Sequence, residues 1–166
     1  MKRIVFITIS LLVFHNYILA QKLPQRPQSL TFVNDFANLL DKQTIDLLNQ
    51  KLSKYHDSTS TQIIFVSVES LEGADLKAYS LSLAKSWGIG QAVKNNGILI
   101  LIPKKERKIR LELGLGISRY ISDARAKAIL DENITPYLKE ANFAKGLNEG
   151  IDKIIQLLKG KFRWEN

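Results

Sequence analysis

The chain has 166 residues, of which 45% are hydrophobic and 24% are charged, a composition typical of one globular domain rather than of a disordered segment. It contains no cysteine, which excludes disulfide frameworks, thiolate catalysis and cysteine-ligated zinc or iron–sulfur sites. Two histidines are too few for a histidine-rich metal site, whereas the net charge of +8 raises the question of an anionic partner.

The first twenty residues have the layout of a secretory signal peptide. Lys2 and Arg3 precede an apolar run over residues 4–14, and Ala20 is a small residue at the expected cleavage position. This run is shorter than the roughly 20 apolar residues of a transmembrane helix. We expect cleavage after Ala20, which lowers the net charge from +8 to +6. The expected product is an exported protein, periplasmic or secreted, without a transmembrane segment; an uncleaved N-terminal anchor is the alternative.

The mature chain is predicted to begin with an extended leader and a short strand. Residues 21–29 include two prolines and three glutamines, which favour an extended conformation. Residues 30–33 are predicted to form a strand that ends at Asn34 and Asp35.

A helix and a buried strand are predicted next. Apolar residues recur at helical spacing from Lys42 to about Tyr55, and Asp41 is the expected N-cap. Residues 57–61 are polar and predict a loop. Residues 62–68 are rich in β-branched side chains and predict a buried strand.

The middle of the chain predicts a second helix followed by a β-hairpin. The helix is expected over residues 75–86 and ends at Gly88 and Gly90. Residues 98–102 form a continuous apolar run, which is typical of a strand covered on both faces. Residues 108–113 alternate between apolar and charged side chains, and the short charged turn before them predicts antiparallel pairing.

The C-terminal part is predicted to be mostly helical. Gly114 and Gly116 break the preceding strand, in a tight turn that we expect to need positive φ angles. A third helix is expected from residue 122 to about 133, and Pro136 interrupts it or starts a new turn. The last helix is expected over about residues 142–159.

This order of elements predicts an α/β fold, since strands and helices alternate early and helices follow one another late. The expected architecture is a three-layer α/β/α sandwich with a mixed central sheet of about four strands. We expect one domain over residues 30–160, a C-terminal tail over 161–166, and a monomer.

The sequence assigns no catalytic residue. None of the serines lies in a G-x-S-x-G motif, and a lone histidine at a helix end, His56, is more typical of a solvated residue than of a general base. The pair Gly114 and Gly116 lacks the third glycine of a dinucleotide-binding loop.

Polar side chains at the ends of the predicted elements are candidate metal ligands. Carboxylate and carboxamide oxygens suit Ca²⁺ or Mg²⁺ rather than zinc or copper. The candidates are Asp35, Asn95, Asn96, Glu112 and Asp123. The alternative interpretation is structural, with Asp123 at a helix cap and Asp35 in an Asx-turn.

The densest positive cluster, which we call the basic hairpin, comprises Lys104, Lys105, Arg107, Lys108 and Arg110. One interpretation is a contact for an anionic partner such as a phosphate-rich lipid or another polyanion. The other is a solvated hairpin tip whose lysines discourage edge pairing. No aromatic residues are interleaved with these charges, and an exported protein meets little nucleic acid, so no nucleic-acid partner is expected.

Four blocks of sequence in the right order resemble the TPM-domain family, also called TPM phosphatases. The resemblance extends over about residues 23–160, essentially the whole mature chain. The blocks are VNDFANLL (33–40) after the Pro24 leader; WGIG (87–90) with NGILILI (96–102); RLELGLG (110–116) with SDA (122–124); and ITPY (134–137) with Gly146 and Gly150.

The resemblance implies an exported α/β/α sandwich whose acidic residues cluster at one end of the sheet. It also implies binding of a divalent cation, often calcium, and a modest acid-phosphatase activity on phosphomonoesters. Asp35, Asn96 and Asp123 occupy the matching polar positions, and Glu112 the acidic position of the third block. In such a mechanism the cation polarises the phosphoryl oxygen.

The chain departs from the family pattern after its glycine pair, where relatives often have Leu-Glu-Gly. Ser118 stands where the acid is expected and Arg119 follows it, which weakens a cation site because affinity for hard cations follows ligand charge. Arg119 is in turn a candidate to hold a phosphate ester. Two functions stay open: a cation-binding domain with at most weak phosphatase activity, or a non-enzymatic accessory module that binds an unknown protein of the cell envelope.

Overall fold

A computed structural model of the chain describes residues 23–29 and 31–162. The predicted signal peptide, residues 1–20, lies outside the described residues, as do the last four residues of the predicted tail. Within the described ranges, no helix has the length and apolar character needed to cross a membrane.

The centre of the fold is a four-stranded mixed sheet in the order β1-β2-β3-β4. The first three strands are parallel and β4 is antiparallel to β3, which confirms the predicted hairpin. Because β3 is buried along its whole length and β2 along nearly all of it, their apolar runs form the interior of the molecule. The strands are β1 (Val33–Asp35), β2 (Gln62–Val68), β3 (Gly97–Pro103) and β4 (Arg110–Leu113).

Six α-helices and one π-helical turn complete the described fold. Asp41, Asp75 and Asn142 cap three of the helices, since each side chain accepts a hydrogen bond from the backbone N–H three residues later. The elements are α1 (Lys42–Thr59), α2 (Leu76–Ser86), α3 (Leu115–Ser118), α4 (Asp123–Ala128), the π-helical turn (Ile129–Ile134), α5 (Thr135–Lys139) and α6 (Phe143–Leu157).

The helices lie on both faces of the sheet, as the predicted α/β/α sandwich requires. On α2, the Ser80 hydroxyl contacts the Glu112 carboxylate of β4, so α2 covers the face to which Glu112 points. Lys51 of α1 pairs with Asp152 of α6 at 2.7 Å. Glu112 pairs with Leu99 of β3, and Ile102 lies three residues further along β3. Since side chains alternate between the two faces of a strand, Ile102 points to the other face, on which α5 and α6 pack.

Two element boundaries differ from the prediction. Strand β1 includes Asn34 and Asp35, which were expected to end it, because their backbones pair with Val66 and Ser67 of β2. Helix α1 continues to Thr59 through residues expected to form a loop, and ends where Ser60 adopts a left-handed conformation with φ of 62°. Polar residues at a helix surface do not end a helix; the left-handed residue does.

The segment after the hairpin also differs from the prediction. Gly114 has a φ of −63° and Gly116 lies inside α3, so the expected turn of positive φ angles is wrong. These glycines are required by close packing instead: a Cβ on Gly116 would lie 2.0 Å from the Lys94 carbonyl oxygen. The single helix expected over 122–133 is α4 followed by the π-helical turn, and Pro136 is the second residue of α5.

Candidate functional site

Asp35 ends β1 at the carboxyl edge of the parallel strands, where its carboxylate shapes the following loop. It accepts hydrogen bonds from the backbone N–H groups of Leu39 at 3.1 Å and Leu40 at 2.8 Å, and from the hydroxyl of Ser67. The Ser67 hydroxyl oxygen in turn accepts from the N–H of Ala37 at 2.9 Å. Both carboxylate oxygens of Asp35 therefore bind groups of the protein itself.

Asn95 and Asn96 lie at the opposite edge of the sheet, before β3. The buried amide of Asn96 donates to the backbone and hydroxyl oxygens of Ser60, each at 3.1 Å, and its carbonyl accepts from the N–H of Gln91 at 3.0 Å. Asn95 is left-handed, with φ of 47°, and its backbone carbonyl accepts from the N–H of Gly116 at 3.0 Å. Asn96 thus connects the loop before β3 to the residue that ends α1.

Glu112 belongs to a polar network on the face that α2 covers. Its carboxylate pairs with Arg110 at 2.9 Å, and the Ser80 hydroxyl lies 2.9 Å from the same oxygen. Arg110 also donates to the Ser80 oxygen at 2.8 Å. The side chains of Glu112 and Arg110 are 18% and 28% exposed, so their charges neutralise each other in a largely buried setting.

Asp123 and Arg119 are exposed, and they follow β4 at the end of the hairpin that lies away from its turn. Asp123 is the first residue of α4, and the preceding Ser122 caps that helix by accepting from the N–H of Arg125 at 3.3 Å. Arg119 follows the last residue of α3, where the hydroxyl of Ser118 donates to the Leu115 carbonyl at 3.0 Å.

The strand register shows that the five predicted metal ligands do not meet. Asp35 is level with Ile102, six residues along β3 from Asn96, which corresponds to a separation of about 20 Å. Glu112 is level with Leu99, and its side chain points to the face opposite Asp35. Within residues 23–29 and 31–162, no three Asp, Glu or His side chains lie close enough to share a metal ion. The expectation of one joint acidic cluster is therefore wrong, and metal binding by the individual residues stays a prediction.

The structure divides the basic hairpin into two groups. Arg110 is paired with Glu112, as described above, and Lys105 is exposed; neither lines the cleft described below. Lys104 donates to the Ala37 carbonyl at 2.9 Å and lies 3.5 Å from Glu69. Lys104, Arg107 and Lys108 line a cleft.

This cleft, which we call the carboxyl-edge cleft, has a volume of about 470 Å³. It lies beside the end of β3, between the loop after β1, the hairpin, α5 and the start of α6. Its walls are mainly apolar, formed by Leu39, Ile102, Ile109, Leu138, Ala141 and Phe143. Its cations are Lys104, Arg107, Lys108 and Lys139, and Thr135 completes the lining.

Sequence reasoning identified three of these cations but missed the cleft. Nothing in the local sequence pattern of Leu138, Lys139 and Phe143 indicates that they lie beside these cations. These residues lie about thirty positions after the hairpin. The only available signal was the tetrad Ile134–Tyr137, which marks the helical wall of the cleft without indicating that it faces the hairpin.

Glu106 fixes the hairpin against the rest of the domain. One carboxylate oxygen accepts from the N–H of Leu71 at 2.8 Å and from the Ser70 hydroxyl at 2.9 Å. Burial opposes ionisation of Glu106, but the hydrogen bonds from Leu71 and Ser70 outweigh it and hold the pKa of this carboxyl below its usual value. The ionised carboxylate therefore anchors the turn that supplies Arg107 and Lys108.

The fold and the sequence are both similar to known domains. A model of the family described as TPM domain matches residues 33–157. Among solved structures, the N-terminal domain of a protein from P. gingivalis is 29% identical, with a TM-score of 0.72 over 82% of this chain and 88% of that chain. No curated protein matches the chain.

Two further solved structures are similar at lower identity and show the fold alone. The BA42 protein from the psychrophilic bacterium Bizionia argentinensis is 20% identical, with a TM-score of 0.66 over 78% of this chain and 88% of that chain. The N-terminal domain of cg2496 from Corynebacterium glutamicum is 17% identical, with a TM-score of 0.59 over 87% and 93% of the two chains.

Proposed function

Because the chain belongs to the TPM-domain family, we propose that it is an exported TPM domain that acts as a non-enzymatic interaction module of the cell envelope. The observation that carries this proposal is the use of the family's polar residues. Asp35 and Asn96 hold loops at opposite edges of the sheet, and Glu112 pairs with Arg110 in the same strand. Because these residues stabilise the fold, we place the binding function on the surface of the domain.

Polar groups that are satisfied internally resist recruitment as metal ligands. A cation at Asp35 competes with the hydrogen bonds from two backbone N–H groups, and weakening them loosens the loop after β1. A cation at Glu112 is repelled by the Arg110 guanidinium and weakens an ion pair that is largely buried. Both losses weigh against a cation at these positions.

A second candidate function is the binding of Ca²⁺ or Mg²⁺ with weak phosphatase activity. The observation that favours it is the exposed carboxylate of Asp123, which is accessible to a cation in the first turn of α4. The exposed guanidinium of Arg119 would then contact the ester anion. A single carboxylate gives at most a weak site, because hard cations prefer six to eight oxygen ligands.

Turnover assays separate the two functions. The chain from Gln21 onward is assayed for hydrolysis of p-nitrophenyl phosphate with Ca²⁺ and with Mg²⁺, and cation binding is followed by calorimetry. We expect no hydrolysis above the buffer rate with either cation. Metal-dependent turnover that is lost in Asp123→Asn and kept in the exposed control Glu149→Gln would contradict the non-enzymatic proposal.

Export is the part of the proposal that rests on the N-terminal sequence. Lys2 and Arg3, the apolar run and Ala20 together predict removal of the first twenty residues. The expected result is that the protein recovered outside the cytoplasm begins at Gln21 on N-terminal sequencing. Recovery of a chain that still begins with Met1 would contradict it.

A further inference from the structure

We propose that the carboxyl-edge cleft binds a single-chain amphiphile with one anionic head group, of the chemistry of a free fatty acid. The inference deepens the proposed function, because it names the class of molecule that a non-catalytic binding module would take. It rests on the shape and polarity of the cleft, on the sign of its charges, and on how firmly its walls are held.

The lining of the cleft is amphipathic. Leu39, Ile109, Leu138 and Phe143 are partly exposed and supply apolar surface that remains open to a ligand, above the buried Ile102. Its volume of about 470 Å³ falls in the range of roughly 300–1,000 Å³ of small-molecule sites. Burial of an aliphatic chain against these residues supplies binding energy in proportion to the apolar area removed from water.

The charges of the cleft have one sign. Lys104, Arg107, Lys108 and Lys139 line it, and none of the described residues that line it is acidic. Glu69 offsets part of the charge of Lys104, which leaves the cations of the hairpin turn and of α5 to face a ligand head group. Charge-assisted hydrogen bonds from such cations favour an anionic head over a neutral one.

The walls of the cleft are held in place by contacts outside it. Lys104 is anchored on the Ala37 carbonyl, and Glu106 ties the hairpin turn to Ser70 and Leu71. Two lining residues on opposite walls, Arg107 and Ala141, have left-handed backbones with φ of 50° and 56°. This conformation is uncommon for residues other than glycine, asparagine and aspartate, and persists where the surrounding structure enforces it.

The same features disfavour other anionic partners. A polyanion needs only a charged surface, whereas the walls of this cleft are mainly apolar. A bilayer surface receives protruding apolar side chains, whereas the apolar side chains here line a concavity. A free single-chain amphiphile satisfies both the concave shape and the single sign of charge.

The test measures binding of dodecanoate, below its micelle concentration, to the chain from Gln21 onward. Amide chemical shifts report the position of binding and calorimetry reports its strength. Dodecyl maltoside provides a neutral head on the same tail, and inorganic phosphate provides an anion without a tail. We expect saturable binding of dodecanoate, with shifts at residues of the hairpin turn, α5 and the start of α6, and no comparable binding of either control molecule.

A pair of charge-matched double variants identifies the cations. Arg107→Gln with Lys108→Gln removes two cations of the cleft, and Lys77→Gln with Lys85→Gln removes two exposed cations of α2, which lie outside it. The first pair is expected to weaken dodecanoate binding at least about tenfold, and the second to leave it within about twofold. Unchanged dispersion of the amide spectra verifies that both variants fold.

Three results would overturn the inference: no saturable binding of dodecanoate, equal loss of binding in the two double variants, or equally tight binding of dodecyl maltoside. Each of these leaves the non-enzymatic proposal standing, because that proposal is tested by turnover. Metal-dependent turnover together with dodecanoate binding would contradict the non-enzymatic proposal and would leave the amphiphile site standing.

Discussion

A single carboxylate, that of Asp35, organises the loop after β1. It accepts from two backbone N–H groups and from a buried hydroxyl, and charge-assisted hydrogen bonds of this kind contribute about 1.5–3 kcal/mol each at most. We expect Asp35→Ala to lower the free energy of unfolding by about 2–3 kcal/mol. Urea denaturation measures the change. The exposed Asp46, which pairs with Lys42 at the surface, is the control, and Asp46→Ala is expected to cost less than about 0.5 kcal/mol.

The pH dependence of stability tests the anchor at Glu106. Its pKa is lowered in the folded protein, so the folded state binds fewer protons than the unfolded state as the pH passes between the two pKa values. The stabilisation is therefore present above the ordinary glutamate pKa of about 4.3 and is lost as the pH falls through the folded value. Urea denaturation across this range is expected to show that the deficit of Glu106→Gln, relative to the natural protein, shrinks towards acid pH. A deficit that is constant with pH would contradict the ionic anchor.

At the scale of elements, the π-helical turn and α6 are fitted to each other. A Cβ on Gly150 would lie 2.3 Å from Cδ1 and 2.4 Å from Cγ1 of Ile134, which is fully buried. We expect Gly150→Ala to cost about 1–3 kcal/mol by overpacking and Ile134→Ala about 2–5 kcal/mol by leaving a cavity. In the double variant the new methyl group occupies part of that cavity, so its cost is expected to be at least about 1 kcal/mol less than the sum. Additive costs in urea denaturation would show that the two residues do not share this space.

The strands and most helices follow from local sequence, and the exceptions have physical reasons. Residues 62–68 and the core of β3 were predicted closely because short apolar runs rich in β-branched residues are typical of buried strands. The π-helical turn was not predicted. Pro136 lacks the N–H that a regular helix would use and clashes with the carbonyl four residues earlier, and the chain accommodates it by a wider turn. The sequence around Pro136 has no periodicity that distinguishes a π-helical turn from a simple break in the helix.

At the scale of the whole molecule, the candidate site depends on long-range packing. The cations of the hairpin were visible in the sequence. Their apolar neighbours come from segments before the hairpin (Leu39) and after it (Leu138 and Phe143), and they meet only in the folded domain. The predicted metal ligands, in contrast, were matched by sequence motifs but do not meet in the folded domain. Asp35 and Asn96 share a family motif pattern, yet the register of a parallel sheet places them at opposite edges.

The most direct test of the account is one amide chemical-shift map of the chain from Gln21 onward, titrated separately with dodecanoate and with calcium. We expect dodecanoate to shift amides around Arg107, Lys108 and Leu138, and we expect calcium to produce no saturable shifts at Asp35 or Asn96. Saturable calcium shifts at Asp35 and Asn96, with none from dodecanoate at the carboxyl-edge cleft, would contradict it.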